Sequence, residues 1–149
     1  MQIEAEEIKN RIVKALREKG LKLTPQRLLI IDILAKSKTH PSAQALLLQA
    51  REQAPKVSVS TVYYTLNLLK TLKLIKEMDF YNMDNRYETN TADHLNLICV
   101  SCGKIEDFME GVPASSGKIE ERTGFRAHGM RLEYYGYCRE CLDRKGDQR

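Results

Sequence analysis

The sequence predicts an α+β protein in two parts, a winged helix-turn-helix followed by a small α/β unit, and three observations carry that prediction. Four capped helical patterns precede a short alternating hairpin in the first ninety residues. All four cysteines of the chain fall in the last third, as the C-x-x-C pairs Cys99/Cys102 and Cys138/Cys141 with 35 residues between them. Charge also divides: residues 1–92 hold 15 Lys/Arg against 10 Asp/Glu, a surplus of +5, whereas residues 93–149 hold 9 against 10, or −1, which together give the net +4. A basic first half suits a polyanion and a faintly acidic second half does not.

In the first half, Glu4 to Lys19 reads as a helix because Ile8, Ile12, Val13 and Leu16 share one face, acids crowd the first turns and Gly20 suits the position after the end. Thr24-Pro25 opens a second helix running to about Lys36, with Thr24 as N-cap. His40-Pro41-Ser42 opens a third, capped by Ser42, with Leu46, Leu47 and Ala50 inward and an end near Pro55. Ser58 caps the fourth, whose Val59, Val62, Leu66 and Leu69 are expected to bury one face. Ser60, Thr61, Tyr63, Tyr64 and Asn67 are left on the outward side, and no acid occurs from Val57 to Ile75. Such a face can enter a major groove and reach base edges and phosphates without like-charge repulsion. The chain then alternates from Lys76 to Asp79, turns over Tyr81 to Asp84 and returns through Arg86-Tyr87-Glu88, a hairpin that serves as the wing.

A short polar hinge, residues 89–93, separates a DNA-binding domain, 1–88, from residues 94–149. His94 to Val100 alternates as a strand, with Leu95, Leu97 and Cys99 on one side. Lys104 to Phe108 is a second strand, Ala114 to Arg122 a helix, and Phe125 to Tyr137 a third strand with an irregular stretch at 126–130; the tail from Asp143 to Arg149 is expected to fray. Three strands and one helix leave a sheet edge exposed, and an unpaired edge invites a partner, so this half is read as a dimerisation domain.

Two C-x-x-C knuckles can close one tetrahedral site of four thiolates, each about 2.3 Å from a zinc ion. A unit of this size is marginal without such a staple. A thioredoxin-like redox pair would need a βαβ context and leaves the second pair unexplained, and disulfides belong to oxidising compartments. Met1 to Asn10 is polar and acidic, and the longest apolar run, Leu28 to Leu34, is broken by Asp32. The expectation is a cytoplasmic, soluble protein.

Taken together, Thr24-Pro25-Gln26-Arg27, His40-Pro41-Ser42-Ala43, Ser60-Thr61-Val62-Tyr63, Arg86-Tyr87-Glu88, Asp93-His94, Cys99 to Lys104 and Tyr135 to Cys141 resemble the ferric uptake regulator (Fur) family of metal-dependent repressors over nearly the whole chain. The resemblance implies a homodimer on a palindromic double-stranded DNA operator, a structural Zn²⁺ on Cys99, Cys102, Cys138 and Cys141, and a second, regulatory Fe²⁺ or Mn²⁺ between the domains. By position it makes Tyr63 the DNA-contacting tyrosine and adds Arg27 to the contacts at Ser60, Thr61, Tyr64 and Asn67. It places regulatory ligands at His40, Glu88, His94 and Asp107. No membrane and no small organic substrate are implied.

This chain departs from the family at two points. Asn96 stands where a second histidine usually follows His94, and an amide oxygen is a poorer ligand than imidazole for a borderline metal, though acceptable to Mn²⁺ or Fe²⁺; Asn96 is carried as an optional further ligand. Met130 stands where many members have another histidine, leaving His128 as a surface residue. Asp107 matches the peroxide-sensing (PerR-like) branch and Glu88 does not, so peroxide-stress control and metal-uptake control both stay open. Two other readings are kept: a DNA-binding relative whose regulatory site is degenerate, stabilised by zinc and not switched, and a thiol oxidoreductase built on the C-x-x-C pairs. No activated nucleophile or Gly-rich phosphate loop supports an enzyme.

Overall fold

In the computed structural model, which describes residues 2–80, 82–111, 113 and 115–145, the chain divides into two units, Met1–Thr91 and Ala92–Arg149. The first contains α1 (Gln2–Glu18), α2 (Pro25–Lys36), α3 (Ala43–Gln53), α4 (Val59–Thr71), β1 (Lys76–Met78) and β2 (Arg86–Glu88). The caps are those the sequence marks. The Thr24 hydroxyl accepts from the Arg27 N–H at 3.2 Å, Ser42 from Ala45 at 3.1 Å and Ser58 from Thr61 at 3.1 Å, each satisfying an amide that the helix cannot. At the end of α1, Gly20 adopts φ 67, its N–H reaches the Arg17 carbonyl, and the Leu21 N–H reaches Leu16. That is the pairing of a Schellman stop, and it needs the left-handed conformation that glycine takes without penalty.

Ile12, Leu16, Ile30, Ile31, Leu34, Leu46, Val62, Leu66 and Leu69 make the centre of one core, joined by Tyr87 from the wing. Val59 corrects the expected inward stripe: it is 48% exposed, while Val57, just ahead of the cap, is 1% exposed. Val57 and Val62 occupy the two positions of a hydrophobic staple, so the buried face enters α4 from before its cap and skips the first helical residue. The wing is antiparallel, with Lys76 opposite Glu88 and Met78 opposite Arg86. On its other side β2 is tied to the start of α3 by a bridge between Arg86 and Ser42 and by the Tyr87 N–H donating to the Pro41 carbonyl at 2.9 Å.

The second unit holds β3 (Leu95–Cys99), β4 (Ile105–Phe108), α5 (Ser116–Thr123), β5 (Glu133–Gly136) and α6 (Arg139–Lys145). Its sheet runs β4-β3-β5, antiparallel between β3 and β4 and parallel between β3 and β5. Three expectations change here. The third strand is confined to Glu133–Gly136, and residues 125–132 carry neither helix nor strand. Cys141 lies on a short helix, α6, that takes in 143–145 of the expected fraying tail, whereas 146–149 lie outside the described residues. The helix expected from Ala114 begins at Ser116 behind the Ser115 cap, Ala114 itself being outside the described residues, as is Tyr81 of the wing turn. On the central strand β3, Leu95, Asn96, Ile98 and Cys99 are buried, so burial falls on both faces. Among the described residues no helix is long and apolar enough to cross a membrane.

Candidate metal centres and nucleic-acid interface

Parallel pairing of β3 with β5 puts Cys99 beside Gly136, so both C-x-x-C knuckles leave the sheet at the same end. The first turns back through the Gly103 N–H on the Cys99 carbonyl and the Cys99 N–H on the Lys104 carbonyl, both at 2.9 Å, with Gly103 left-handed at φ 76. The second runs from the end of β5 into α6, and the Cys138 N–H donates to the Cys99 sulfur at 3.3 Å. The four Sγ atoms lie within 4.8 Å of one another, and Cys102 and Cys138 are 3.7 Å apart. A tetrahedron with Zn–S bonds of about 2.3 Å has edges of about 3.8 Å, so the cluster has the size of a zinc site and is too open for a disulfide.

Electrostatics point the same way. Burial acts to raise the Cys99 thiol, but the backbone amides of Cys102, Cys138 and Ser101 outweigh it and bring its pKa down to about 6. Cys141 goes the other way: the Ser101 hydroxyl favours its thiolate, yet Cys138, burial, Cys99 and Cys102 together push it up to about 11. One thiolate forms readily and then opposes the others. Four thiolates can coexist at this spacing when a cation sits among them, and zinc binding deprotonates its thiols outright.

The sequence's other four candidate metal ligands form two imidazole–carboxylate pairs, one in each unit. In the first, the His40 Nε2 is 2.9 Å from the Glu88 Oε2, and both side chains are buried. His40 has φ 50, a left-handed backbone that is uncommon for a non-glycine residue and is found where surrounding structure holds a functional side chain in place. Here the Arg86 guanidinium donates to the His40 carbonyl at 3.1 Å while the following Pro41 and Ser42 pair with β2. In the second unit the His94 Nδ1 donates to the Ala92 carbonyl at 2.7 Å, and its Nε2 lies 3.3 Å from the Asp107 Oδ1. With Nδ1 committed to a carbonyl, the imidazole is oriented so that Nε2 is the nitrogen turned to the carboxylate, the way a histidine is held when Nε2 serves as a metal ligand. Asn96 lies directly across the sheet from Asp107, and its Oδ1 is buried without a hydrogen-bond partner among the described residues. His128 is exposed and joins neither ligand group, and Met130 is half-buried.

The face read as a DNA contact is built on α4. Tyr63 is 49% and Tyr64 57% exposed, Ser60 and Asn67 are exposed and Thr61 is half-buried. A groove of about 670 Å³ is lined by Thr24, Pro25, Gln26, Arg27, Ser60, Thr61 and Tyr64. It gathers Arg27, Ser60, Thr61 and Tyr64 of the expected set, while Tyr63 and Asn67 are not part of its lining. Arg27 is held by its own contacts, a hydrogen bond to the Lys22 carbonyl at 2.5 Å and a stack 4.8 Å over the Tyr64 ring. Thr24 and Gln26 were missed as groove residues. They precede Arg27 at the first turn of α2, and nothing in the sequence sets that turn apart, since the first turns of α3 and α5 likewise carry no acid.

A winged helix joined to a small sheet with a four-cysteine knuckle and two imidazole–carboxylate pairs defines a class of metal-binding regulators. The chain belongs to the ferric uptake regulator family, whose model matches residues 18–135. It is 33% identical over 148 residues, 97% of this chain and the whole of the relative, to the peroxide-responsive repressor PerR of Staphylococcus aureus strain Mu50. Its fold matches the ferric uptake regulator Fur of Helicobacter pylori at a TM-score of 0.69 and 27% identity, covering 93% of each chain. A zinc-bound manganese uptake regulator matches at 0.64 and 31% identity, covering 85% of this chain and 98% of the other.

Proposed function

We propose that this protein is a metal-responsive transcriptional repressor that binds a palindromic operator as a homodimer and controls metal-uptake or peroxide-stress genes. The observation that carries the reading is the matched pair of half-sites, His40 with Glu88 and His94 with Asp107, on either side of the hinge at residues 89–93. Cys99, Cys102, Cys138 and Cys141 would hold the structural zinc; His40, Glu88, His94 and Asp107 would hold Fe²⁺ or Mn²⁺. An ion so held would supply a positive centre for donors from both units, and domain angles compatible with all four donors would then be favoured. In a dimer that angle sets the separation of the two α4 helices, which must match half-sites about 34–36 Å apart. Coupling is reciprocal, so operator DNA tightens metal binding by the factor that metal tightens DNA binding.

The groove supports the DNA role, since Arg27 and the hydroxyls of Ser60 and Thr61 are donors at helix starts free of acid. The dimer is supported by the two edge strands, β4 and β5, by the exposed Phe108, Met109, Tyr134 and Tyr135, and by α5, which buries none of its residues within the chain. The test is fluorescence anisotropy on an AT-rich palindrome with the zinc-loaded protein. Binding is expected to require Mn²⁺ or Fe²⁺, to fall steeply with salt, and to weaken at least tenfold in Tyr63→Ala. DNA affinity indifferent to added Mn²⁺ at constant zinc content would instead support the unswitched, zinc-stabilised reading. Gain of oxygen on His40 or His94 after aerobic exposure with Fe²⁺ assigns the peroxide branch, the response for which the staphylococcal relative is named.

A further inference from the structure

We infer that Asn96 determines which cation the regulatory site accepts: its amide oxygen is a ligand, and its presence favours Mn²⁺ or Fe²⁺ over Zn²⁺. This rests on the regulator reading above. Asn96 is 8% exposed, and its Oδ1 has no hydrogen-bond partner among the described residues. Buried polar atoms are almost always paired, and one that is not calls for an explanation, of which a bound ion is a leading one.

The surroundings narrow the explanation. Asn96 sits between two carboxylates across the sheet, opposite Asp107 on β4 and Glu133 on β5. Glu133 is engaged elsewhere, its Oε1 accepting from the Arg131 Nε at 3.0 Å and Nη2 at 2.8 Å and its Oε2 accepting from the Tyr135 hydroxyl. On the other side Asp107 faces the His94 Nε2. Asn96 therefore shares a sheet face with Asp107, its cross-strand partner, which with His94, two residues before Asn96 on the chain, already forms a candidate half-site.

Donor chemistry gives the consequence. Zinc is satisfied by four ligands and favours nitrogen and sulfur, whereas Mn²⁺ and Fe²⁺ accept more ligands and more oxygen among them. Replacing an imidazole with an amide oxygen costs zinc more than it costs the harder ions. This matters in a chain that also carries a four-thiolate cluster: one protein has to take zinc at the cysteines and refuse it at the switch.

The test uses the full-length, zinc-loaded protein and measures uptake of a second metal, with Mn²⁺ followed by loss of its free-ion electron paramagnetic resonance signal and Zn²⁺ by competition with an indicator. Asn96→Leu, similar in size and without the unpaired oxygen, is expected to weaken Mn²⁺ at least tenfold while its melting temperature without added Mn²⁺ stays the same or rises. Asn96→Asp, which keeps an oxygen, should retain Mn²⁺ binding. Asn96→His should narrow the Mn²⁺-over-Zn²⁺ preference at least tenfold. Wild-type Mn²⁺ affinity in Asn96→Leu, or an unchanged preference in Asn96→His, overturns the assignment while leaving the regulator reading standing. If the zinc-loaded wild type takes up no Mn²⁺, both fall.

Discussion

The two units solve the problem of stability in opposite ways. The first closes a core in which Ile12, Ile30, Ile31, Leu46, Leu66 and Leu69 are wholly shielded from solvent. Among the described residues of the second the buried apolar ones are Leu95, Ile98, Cys99, Ile105 and Cys141, two of them members of the sulfur cluster, and α5 buries nothing. Burial of a large aliphatic side chain contributes about 1.5–3 kcal/mol, against about 1–2 kcal/mol of backbone entropy for every ordered residue. A long interdigitated list offsets that cost and a short one does not. The second unit is thus expected to draw its stability from the metal and from a partner, which ties the presence of a dimer to the presence of zinc.

The largest effect should come from cutting that tie. Cys138→Ser leaves three donors for an ion whose apparent binding free energy in small structural sites is on the order of 10 kcal/mol, and that energy is folding energy. Hydrogen exchange with zinc analysis is expected to show loss of zinc and of amide protection across β3, β4 and β5, with α1–α4 still protected. Loss of protection in both units at once would mean that they are not separately stable. Leu66→Ala is the converse cut. Leu66 is 0% exposed at the centre of the first core, so truncation should cost about 2–5 kcal/mol there. A two-step melt is expected in which only the transition of the first unit moves and the zinc content stays whole.

The same contrast decides what could be read from sequence. Thr24, Ser42, Ser58 and Gly20 act within one helical turn, and the apolar stripes they bound are periodic, so the first unit was legible nearly residue by residue. The exception, Val59, shows where the rule ends: one turn from a cap, periodicity cannot tell the first helical residue from the one before the cap. In the second unit the cysteine spacing announces the cluster but cannot bound β5, because Phe125 to Tyr137 is apolar enough for a strand and only pairing to β3 limits it to four residues. α6 escaped notice since seven residues leave too short a span for a helical period to show. Of the ligand set, spacing could pair Cys99 with Cys102, whereas His40 and Glu88, 48 residues apart, meet because the start of α3 is bridged to β2. No local pattern encodes that bridge; the resemblance supplied it.

The smallest effect lies in the wing, where a polar cluster on β1 stands beside the apolar anchor that Tyr87 makes to the core. Glu77 on β1 accepts from the Lys70 Nζ at the end of α4 and from the Asn85 Nδ2 in the wing loop, both at 2.8 Å. Burial acts to raise its carboxyl, but Lys70 and Asn85 outweigh it and hold the pKa below the ordinary 4.5. A carboxylate depressed in the folded state contributes stability that is fully present above the unfolded value of 4.5 and is lost as pH falls through the lower folded value. Since Lys70 is 45% exposed, Glu77→Gln should cost no more than about 1 kcal/mol at neutral pH. Denaturant titrations of the two proteins should converge as pH drops below 4.5. A difference that persisted into acid would mean that Glu77 acts by packing rather than by charge.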